Sequence, residues 1–324
     1  MLISVLVFAY NRKKFVKNAI KSVIEQTLDK SNYEIIVISN FEITNISDLY
    51  ENAISNIIIK HFILGNLSIG TYILKGLEES SGEIITFLDD DDLYERDRLY
   101  EIYHTFTSNP DIVYFRNSIS AIDESGSVIP HVEKRRRCES STYNLKEIAD
   151  KGLSQFQWEM STIALRRYIL EKHKKYLDHI IDAQDAWMFF LSLSEKKAMY
   201  LECKKLTRYR VHSDQVTSIR GKENHFFRGY NATRPLLSII EDTGVLTELQ
   251  KTRARMLFFS VIGGTYPEKR EIVNNMKFYF QHFKPNKRDF QVIIFFIPLS
   301  LYLISQNSKF SKLFRILGSF NQRR

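Results

Sequence analysis

Four consecutive aspartates, Asp89, Asp90, Asp91 and Asp92, are the residues whose type and spacing point most directly to chemistry. They follow an apolar run at residues 84–88, IITFL, whose β-branched and aromatic residues are typical of a strand buried on both faces. Ligands bind at the carboxyl ends of the strands in an open α/β sheet. Clustered carboxylates repel one another unless a cation or a set of donors compensates them, and oxygen ligands alone favour Mg²⁺ or Mn²⁺ over zinc. The pattern predicts a metal-assisted phosphate site.

Helix capping is the alternative explanation for part of this cluster. Asp92, followed by Glu95, would complement the N-terminus of a helix that the sequence predicts over residues 95–107. One acid or two are enough for capping, whereas the chain supplies four in a row. The number of carboxylates therefore favours the metal site.

The elements around the aspartates predict an α/β fold. Continuous apolar runs indicate strands, and apolar residues at helical spacing indicate helices between them. The predicted strands cover residues 3–9, 33–39, 56–62 and 84–88, and the predicted helices lie around residues 16–24 and 68–80. Strands that alternate with helices favour a mostly parallel sheet covered on both faces.

Shorter elements are predicted in the middle of the chain. They are a strand at 111–116, a hairpin at 119–129, a polar loop over 132–154, a short strand at 161–165, a helix over 182–194 and one or two strands over 199–211. The hairpin is predicted because Asp123, Glu124, Ser125 and Gly126 supply turn chemistry between two apolar segments.

The composition is that of a globular protein with basic regions. The 324 residues are 44% hydrophobic and 26% charged, and the formal net charge is +8. Basic runs at residues 134–137 and 172–175 would be solvated loops or would meet a polyanion such as anionic lipid or nucleotide phosphate. Cys138 and Cys203 lack metal-ligand spacing, so we expect no zinc site and no disulfide framework, and a reducing compartment.

The C-terminal region differs in character from the rest of the chain. From about residue 221 it becomes helical and basic, and residues 290–304 form its most apolar stretch. This stretch is shorter than the roughly 20 residues of a spanning helix, and Pro298 interrupts it, so a buried helix, a re-entrant hairpin and an interfacial anchor all remain open. Its basic neighbours favour association with a membrane surface over a soluble subdomain.

Several separated motifs resemble the inverting family two glycosyltransferases of the GT-A fold. VLVFAYNR at residues 5–12 is similar to the family's opening strand and turn, SVIEQT at 22–27 to the end of its first helix, and GEIITFLDDDD at 82–92 to its DxD segment. QDAWMFFLSL at 184–193 resembles the acidic acceptor-side helix, and YRVH at 209–212 the motif that ends the catalytic domain. The order and spacing of these motifs carry the resemblance, which covers about residues 1–220.

The resemblance implies a fold and two regions. We expect a GT-A domain of the nucleotide-diphospho-sugar transferase type at residues 1–220, with a mostly parallel sheet flanked by helices. Residues 221–324 would form a helical, basic and membrane-associating extension. The protein would then lie in the cytoplasm, on the inner face of the cell membrane.

The resemblance also assigns roles to the acids. Asp91 would hold Mn²⁺ or Mg²⁺, with Asp89 near the ribose or the ion and His212 as a further ligand. Asp92 is left with the capping role and Asp90 with the variable middle position of the signature.

Two further acids are candidates for the catalytic base. Asp185 would take the proton from the acceptor hydroxyl, with Asp182 as the alternative base. If neither is catalytic, these two acids only cap a helix.

Donor and acceptor residues follow from the same resemblance. The donor would be a UDP- or GDP-sugar, bound by Ala9, Tyr10, Asn11, Arg12, Asn40, Asp89, Asp90, Asp91 and Arg210. The acceptor side would include Gln157, Trp158, Glu159 and Trp187. The chain departs from the family where Asn40 replaces an aspartate that faces the base, and where no glycine loop precedes the acidic helix.

The expected activity is metal-dependent transfer of a sugar, with inversion, to a saccharide or a lipid-linked acceptor in glycan biosynthesis. A polyprenyl-phosphate glycosyltransferase is the alternative within the same class. A noncatalytic protein that binds a nucleotide or another polyanion is the alternative from a different class. Nucleic acid is not an expected partner, because binding it would need basic residues interleaved with aromatics on one surface.

Overall fold

The computed structural model describes residues 1–44, 57–129, 139–152, 156–212, 222–262, 270–271 and 273–274. The chain forms two compact units, one of Met1–Ser213 with Ser238–Val245 and one of Asp214–Leu237 with Leu246–Arg324. The predicted boundary at residue 220 falls among residues 213–221, which are outside the described part, so this division stays a prediction.

One sheet organises the first unit. Its strands are β1 (Ile3–Ala9), β2 (Tyr33–Ser39), β3 (Ile58–Ile63), β4 (Ile84–Asp89), β5 (Leu93–Tyr94), β6 (Ile112–Ile122), β7 (Ser141–Tyr143), β8 (Ile163–Arg166) and β9 (Ala198–Arg210). The order is β3-β2-β1-β4-β8-β6-β9-β5, and β7 also pairs with β9. Strands β3, β2, β1 and β4 are parallel, as is the long β6–β9 pair, whereas β5, β7 and β8 run antiparallel to their partners.

Helices cover this sheet and continue into the second unit. They are α1 (Val16–Ile24), α2 (Ile69–Glu79), α3 (Arg98–Ser108), α4 (Leu145–Lys151), α5 (Arg167–Lys172), α6 (Gln184–Leu193), α7 (Lys222–Ala232), α8 (Leu236–Ile239) and α9 (Thr243–Ile262). The predicted α/β class and mostly parallel sheet are confirmed.

Strand β1 explains why its sequence is a continuous apolar run. Val5 and Val7 lie in the core cluster that also contains Val16 and Ile20 of α1. On the opposite face, the ring of Phe8 lies edge-on to a tyrosine of α2, with 6.3 Å between the ring centroids. A strand buried on both faces needs apolar residues at every position.

The predicted strand at 111–116 and hairpin at 119–129 are one element followed by a turn. Strand β6 continues without a break to Ile122, because β8 and β9 pair with it. A turn follows in which the Asp123 amide donates to the Ser127 carbonyl, and a single antiparallel bridge joins Ile122 to Val128.

The polar segment predicted to be a loop contains β7 and α4. Asn144 caps α4, because its side chain accepts from the Glu147 amide while the Glu147 carboxylate accepts from the Asn144 amide. The Asn-x-x-Glu pattern is a capping-box signature, so the start of this helix could have been predicted from the sequence. Residues 132–138 and 153–154 of the predicted loop lie outside the described part. Cys203 on β9 is disulfide-bonded, contrary to the expectation.

The predicted helix after the aspartates begins later than expected. The chain first forms β5, which pairs with β9, and α3 begins only at Arg98. The predicted capping role of Asp92 is therefore wrong, because Asp97 occupies the N-cap position of this helix.

Within the described residues, no helix combines the length and hydropathy needed to cross a membrane. The apolar stretch at 290–304 lies outside those residues. The predicted association with a membrane surface thus stays a prediction.

Candidate active site

The carboxyl ends of β1, β2 and β4 meet at one edge of the sheet. In the strand register, Ala9 lies opposite Ser39, and Phe8 lies opposite Asp89. The backbone continues this pairing, since the Asp90 amide donates to the Phe8 carbonyl at 3.1 Å. Parallel strands thereby bring the turn after β1 next to the aspartates, as the sequence predicts.

Three of the four aspartates form a group that fits a divalent cation. One carboxylate oxygen from each of Asp89, Asp91 and Asp92 lies within 4.8 Å of the others. Asp91 and Asp92 are buried, whereas Asp89 is half-buried. An all-oxygen set that is partly open to a cleft suits Mg²⁺ or Mn²⁺. The predicted ligands Asp89 and Asp91 are brought together, and Asp92 joins them.

Burial makes these carboxylates costly to ionise in the absence of a cation. Burial, reinforced by the charge of Asp91, raises the pKa of Asp89 to about 7. Burial also raises the pKa of Asp92 well above its usual value. A bound cation reverses this effect, because it favours the charged form of each ligand. The donor set is therefore consistent with a metal site.

Asp90 points away from the other three. Its Oδ2 accepts the Tyr10 amide at 2.8 Å, its Oδ1 lies 2.7 Å from Arg12 Nε, and its side chain is 0% exposed. Asp90 therefore fixes the turn after β1. A direct contact between Asp90 and the donor, as predicted, would require this buried carboxylate to leave its partners.

The side chain of Asp91 contacts one residue from the turn after β1 and one from the segment after β9. Its Oδ2 lies 2.5 Å from Arg12 Nη1 and 2.9 Å from His212 Nε2. His212 follows β9 and is buried against the ring of Phe15, with 5.5 Å between the ring centroids. The structure thus places His212 beside the predicted metal ligand.

Arg210 holds the aspartate loop in place. Its amide donates to Asp92 Oδ1 at 3.0 Å, and its Nε donates to the Asp91 carbonyl at 2.8 Å. Its Nη1 donates to the carbonyls of Asp123 and Glu124. Its Nε and Nη1 thus bind backbone oxygens, and the donor contact of Arg210 stays a prediction.

An asparagine network lies at the other side of the predicted donor site. Asn11 has a left-handed backbone with φ 63°, and its amide donates to Asn40 Oδ1 at 2.9 Å. Asn40 Nδ2 donates to the side-chain oxygens of Asn11 and Asn66, both at 2.6 Å. Sequence reasoning missed Asn66. Ala9 is buried, whereas Tyr10 is 41% exposed.

Asp185 lies in the first turn of α6, and two backbone amides orient its carboxylate. Its Oδ1 accepts its neighbour's amide, from Ala186, at 2.8 Å, and its Oδ2 accepts the Glu159 amide at 3.2 Å. Burial raises the pKa of Asp185 to about 6, and the charge of Asp185 in turn contributes to the raised pKa of Asp89. The two acids are therefore close enough for their charges to interact. Asp182 accepts the Ala183 amide at 2.7 Å.

Two residues beside Asp185 have left-handed backbones without being glycine. They are Glu159, with φ 68°, and Ala183, with φ 54°. Such conformations are strained for residues with a Cβ, and they persist only where the surroundings impose them.

The four residues predicted for the acceptor side divide into two pairs. Trp158 and Glu159 are half-buried beside the cleft. Gln157 is buried, and Trp187 is 0% exposed in a helix whose residues 186–193 are all buried. Both side chains are therefore buried, and their place on the acceptor side stays a prediction. Burial, followed by the charge of Asp185, raises the pKa of Glu159 to about 8.

Gly70 supports the segment that leads to Asp185, and we expect Gly70→Ala to destabilise the protein. A Cβ at this position would lie 2.0 Å from the Leu177 carbonyl oxygen and 2.8 Å from the Ile180 carbonyl oxygen. The Gly70 amide also donates to the Ile180 carbonyl at 2.9 Å. Backbone must therefore move, at a cost of about 1–3 kcal/mol in the free energy of unfolding, measured by urea denaturation.

Gly126→Ala is the control for this substitution. Gly126 has φ 90°, and a Cβ there would meet nothing within 4 Å, so only conformational strain of about 1 kcal/mol is expected. Equal losses of stability in the two variants would contradict a steric role for Gly70.

Known proteins resemble this chain in sequence. EpsH of Bacillus subtilis (strain 168), a putative glycosyltransferase, is 22% identical over 256 residues, 77% of this chain and 72% of that protein. An uncharacterized glycosyltransferase of Rickettsia bellii is 25% identical over 215 residues, 66% of this chain, but the match spans 29% of that relative's length. The GalNAc(5)-diNAcBac-PP-undecaprenol beta-1,3-glucosyltransferase of Campylobacter jejuni is 38% identical over 97 residues, 28% of this chain and 29% of that protein.

Solved structures resemble it in fold. TarS 1-349 of S. aureus in complex with UDP-GlcNAc matches with a TM-score of 0.65 and 16% identity, over 100% of this chain and 93% of that chain. The mannosyltransferase PcManGT from Pyrobaculum calidifontis, in complex with GDP-Man and Mn²⁺, matches with a TM-score of 0.53 and 11% identity, over 94% and 87% of the two chains. At these identities the likeness concerns the fold, and it confirms the GT-A architecture. The model of the family described as "Glycosyl transferase family 2" matches residues 4–195, more than half of the chain, and this protein belongs to that family.

Proposed function

We propose that this protein is a metal-dependent, inverting glycosyltransferase that moves a sugar from a nucleotide-sugar donor to a hydroxyl of a saccharide or lipid-linked acceptor. One observation carries the proposal. A group of three carboxylates has oxygens within 4.8 Å of one another. A further carboxylate, Asp185, is oriented by two backbone amides and is close enough for its charge to act on Asp89. Displacement of a nucleoside diphosphate needs a cation for the leaving group and a base for the nucleophile.

The leaving-group side is assigned to the aspartates. Asp89, Asp91 and Asp92 would hold Mn²⁺ or Mg²⁺, and when bound the ion neutralises negative charge that develops on the diphosphate. Arg210 fixes the loop from which Asp91 and Asp92 project, through its contacts with both residues. This rigidity matters because charge stabilisation depends on groups that are in place before the reaction.

The nucleophile side is assigned to Asp185. Each of its carboxylate oxygens accepts one amide, and an ionised carboxylate oxygen has a further lone pair for the acceptor hydroxyl. A pKa of about 6 leaves most of the group ionised at neutral pH while making it a stronger base than an ordinary aspartate. Asp185 would take the hydroxyl proton as the acceptor oxygen bonds to the sugar.

The pH dependence of kcat follows from the raised pKa of Asp185. The base acts only when it is ionised, so kcat is expected to rise through about pH 6 and to level above it. An unperturbed aspartate would place this rise near pH 4. The measurement is initial transfer rate between pH 4.5 and 8.5 at saturating donor, acceptor and Mn²⁺.

Raising the Mn²⁺ concentration is the control for this profile. Protonation of Asp89, with its pKa of about 7 in the absence of an ion, would also lower the rate in acid. A limb caused by loss of the ion moves to lower pH with more Mn²⁺, whereas a limb caused by Asp185 stays near pH 6. A limb near pH 4 at every concentration would contradict the assignment.

The donor is proposed to be a UDP- or GDP-sugar, because a structural neighbour is bound to UDP-GlcNAc and another to GDP-Man and Mn²⁺. We propose that Tyr10, which is exposed, and the network of Asn11, Asn40 and Asn66 contact the nucleoside. The Campylobacter jejuni relative, named for an undecaprenol-linked substrate, supports a lipid-linked acceptor. Such an acceptor agrees with the proposed association with a membrane surface, which rests on residues 284–324.

A screen of nucleotide sugars tests the proposal. The protein is incubated with each UDP- or GDP-sugar, with Mn²⁺ or EDTA, and with or without lipid-linked saccharides. Release of nucleoside diphosphate that needs both Mn²⁺ and an acceptor is the expected result. Binding of nucleotides without any transfer would favour a noncatalytic role.

A further inference from the structure

The guanidinium of Arg12 occupies the position of a counter-ion within the aspartate cluster. Its Nη1 lies 2.5 Å from Asp91 Oδ2, and its Nε lies 2.7 Å from Asp90 Oδ1. Asp91 Oδ2 belongs to a proposed metal ligand, and it also contacts His212 Nε2 at 2.9 Å. An internal cation therefore already neutralises the carboxylate that an ion would need.

Arg12 lies close to both carboxylates, but its contact with Asp90 lacks the geometry of a hydrogen bond. Although Arg12 Nε and Asp90 Oδ1 are 2.7 Å apart, both are buried atoms without a partner in hydrogen-bond geometry among the residues that the structure describes. The Arg12 side chain is 26% exposed, compared with 0% for Asp90 and 7% for Asp91. Asp90 is anchored by the Tyr10 amide. Of the groups in this contact, the arginine side chain has the most room to move.

A divalent ion and this guanidinium compete for Asp91. Mg²⁺ or Mn²⁺ binds carboxylate oxygens at about 2.0–2.2 Å, and two cations sharing one oxygen repel strongly in a buried site. Binding of the ion therefore drives Arg12 away from Asp91. A nucleoside diphosphate offers the released guanidinium a bidentate partner in the same cleft.

We propose that the Arg12 guanidinium neutralises Asp91 when no metal is bound, and that it leaves Asp91 to bind the donor diphosphate. The binding of the ion and the binding of the donor are therefore coupled. The inference rests on the proposed metal-dependent transfer. Coupling is reciprocal, so each ligand raises the affinity of the other. The empty site is neutralised by Arg12, and the ion binds firmly only together with a donor.

Binding of Mn²⁺ to the full chain tests the proposal without any turnover. Free Mn²⁺ is measured by its electron paramagnetic resonance signal, with and without UDP, for the wild type and Arg12→Gln. Removal of the competing cation is expected to raise the affinity for Mn²⁺ alone about tenfold, a difference set by the lost charge repulsion. The factor by which UDP strengthens Mn²⁺ binding is expected to fall correspondingly.

Two controls accompany this variant. Lys14→Gln removes the same charge from the same turn, but Lys14 is exposed and pairs with Glu124, so its Mn²⁺ affinity should stay within about twofold of the wild type. Arg12→Lys keeps the charge with a single point contact, and we expect about a threefold gain in affinity for Mn²⁺ alone. If circular dichroism shows that Arg12→Gln does not fold, the Mn²⁺ affinity of Arg12→Lys tests the proposal instead.

The outcomes separate this inference from the proposed function. Weaker Mn²⁺ binding in the Arg12 variants would show that Arg12 only organises the ligands, and would overturn the inference. Unchanged Mn²⁺ affinity with weaker UDP binding would show a phosphate ligand without competition, and would also overturn it. In both cases a wild type that binds Mn²⁺ leaves the proposed transfer standing. No Mn²⁺ binding by the wild type even in the presence of UDP would overturn both.

Discussion

Replacement of Asp185 by asparagine is expected to lower kcat about 10²–10⁴-fold, the range that a positioned general base contributes. Asparagine has the same shape, and its oxygen can still accept the Glu159 amide that now binds Asp185 Oδ2. It cannot take a proton at neutral pH. We therefore expect transfer to be lost while binding of UDP with Mn²⁺ stays near the wild-type value. The measurements are transfer to a lipid-linked saccharide and calorimetric titration with UDP.

Asp182→Asn is the matched control. Asp182 lies three residues earlier, is half-buried like Asp185, and accepts the amide of Ala183 at 2.7 Å. The same chemical change at this position should leave kcat within about threefold, because a residue outside the reaction changes the barrier little. A large loss in Asp182→Asn with a small loss in Asp185→Asn would make Asp182 the base.

The pair of variants also addresses the alternative acceptor. A polyprenyl phosphate is already ionised and needs little help from a base. Full activity of both Asp185→Asn and Asp182→Asn with such a phosphate, and none with a hydroxyl acceptor, would replace the proposed function by polyprenyl-phosphate transfer.

The position of the aspartates could be predicted from the sequence, but the role of Asp92 could not. The apolar run at 84–88 identifies a buried strand, and the strand places Asp89 at the binding edge. The assignment of Asp92 to a cap used only its immediate neighbours. The contact that fixes Asp92 comes from the Arg210 amide, 118 residues further along the chain. Local patterns carry no information about such a partner.

On the predicted acceptor side, the burial of helix α6 could be predicted from the sequence, whereas two backbone conformations could not. Helix α6 has no polar residue between Ala186 and Leu191, which indicates a helix buried all round, and this pattern already argued against exposure of Trp187. The left-handed backbones of Glu159 and Ala183 give no such sign. Neither residue favours that conformation, so tertiary packing must impose it. The amide that orients Asp185 thus becomes visible only in the structure.

Asp91→Asn is expected to abolish Mn²⁺ binding and to lower kcat/KM by at least about 10³-fold, because the diphosphate leaving group loses its electrostatic stabilisation. An amide keeps the size of the carboxylate but not its charge, and Asp91 is the acid on which Arg12 and His212 converge. Calorimetric titration with Mn²⁺ in the presence of UDP, together with the transfer assay, measures both effects.

Asp97→Asn is the control, since Asp97 is an exposed acid six residues away that accepts from Thr27 Oγ1 at 2.9 Å. Loss of its charge should change Mn²⁺ binding less than twofold, because exposed charges at a distance are screened by salt. A similar decrease in both variants would point to a general effect of net charge. Transfer by Asp91→Asn at the wild-type rate in EDTA would instead show that cations of the chain, with Arg12 foremost, neutralise the leaving group without a metal. The metal assignment of the aspartate cluster would then be wrong, although the base assignment of Asp185 would stand.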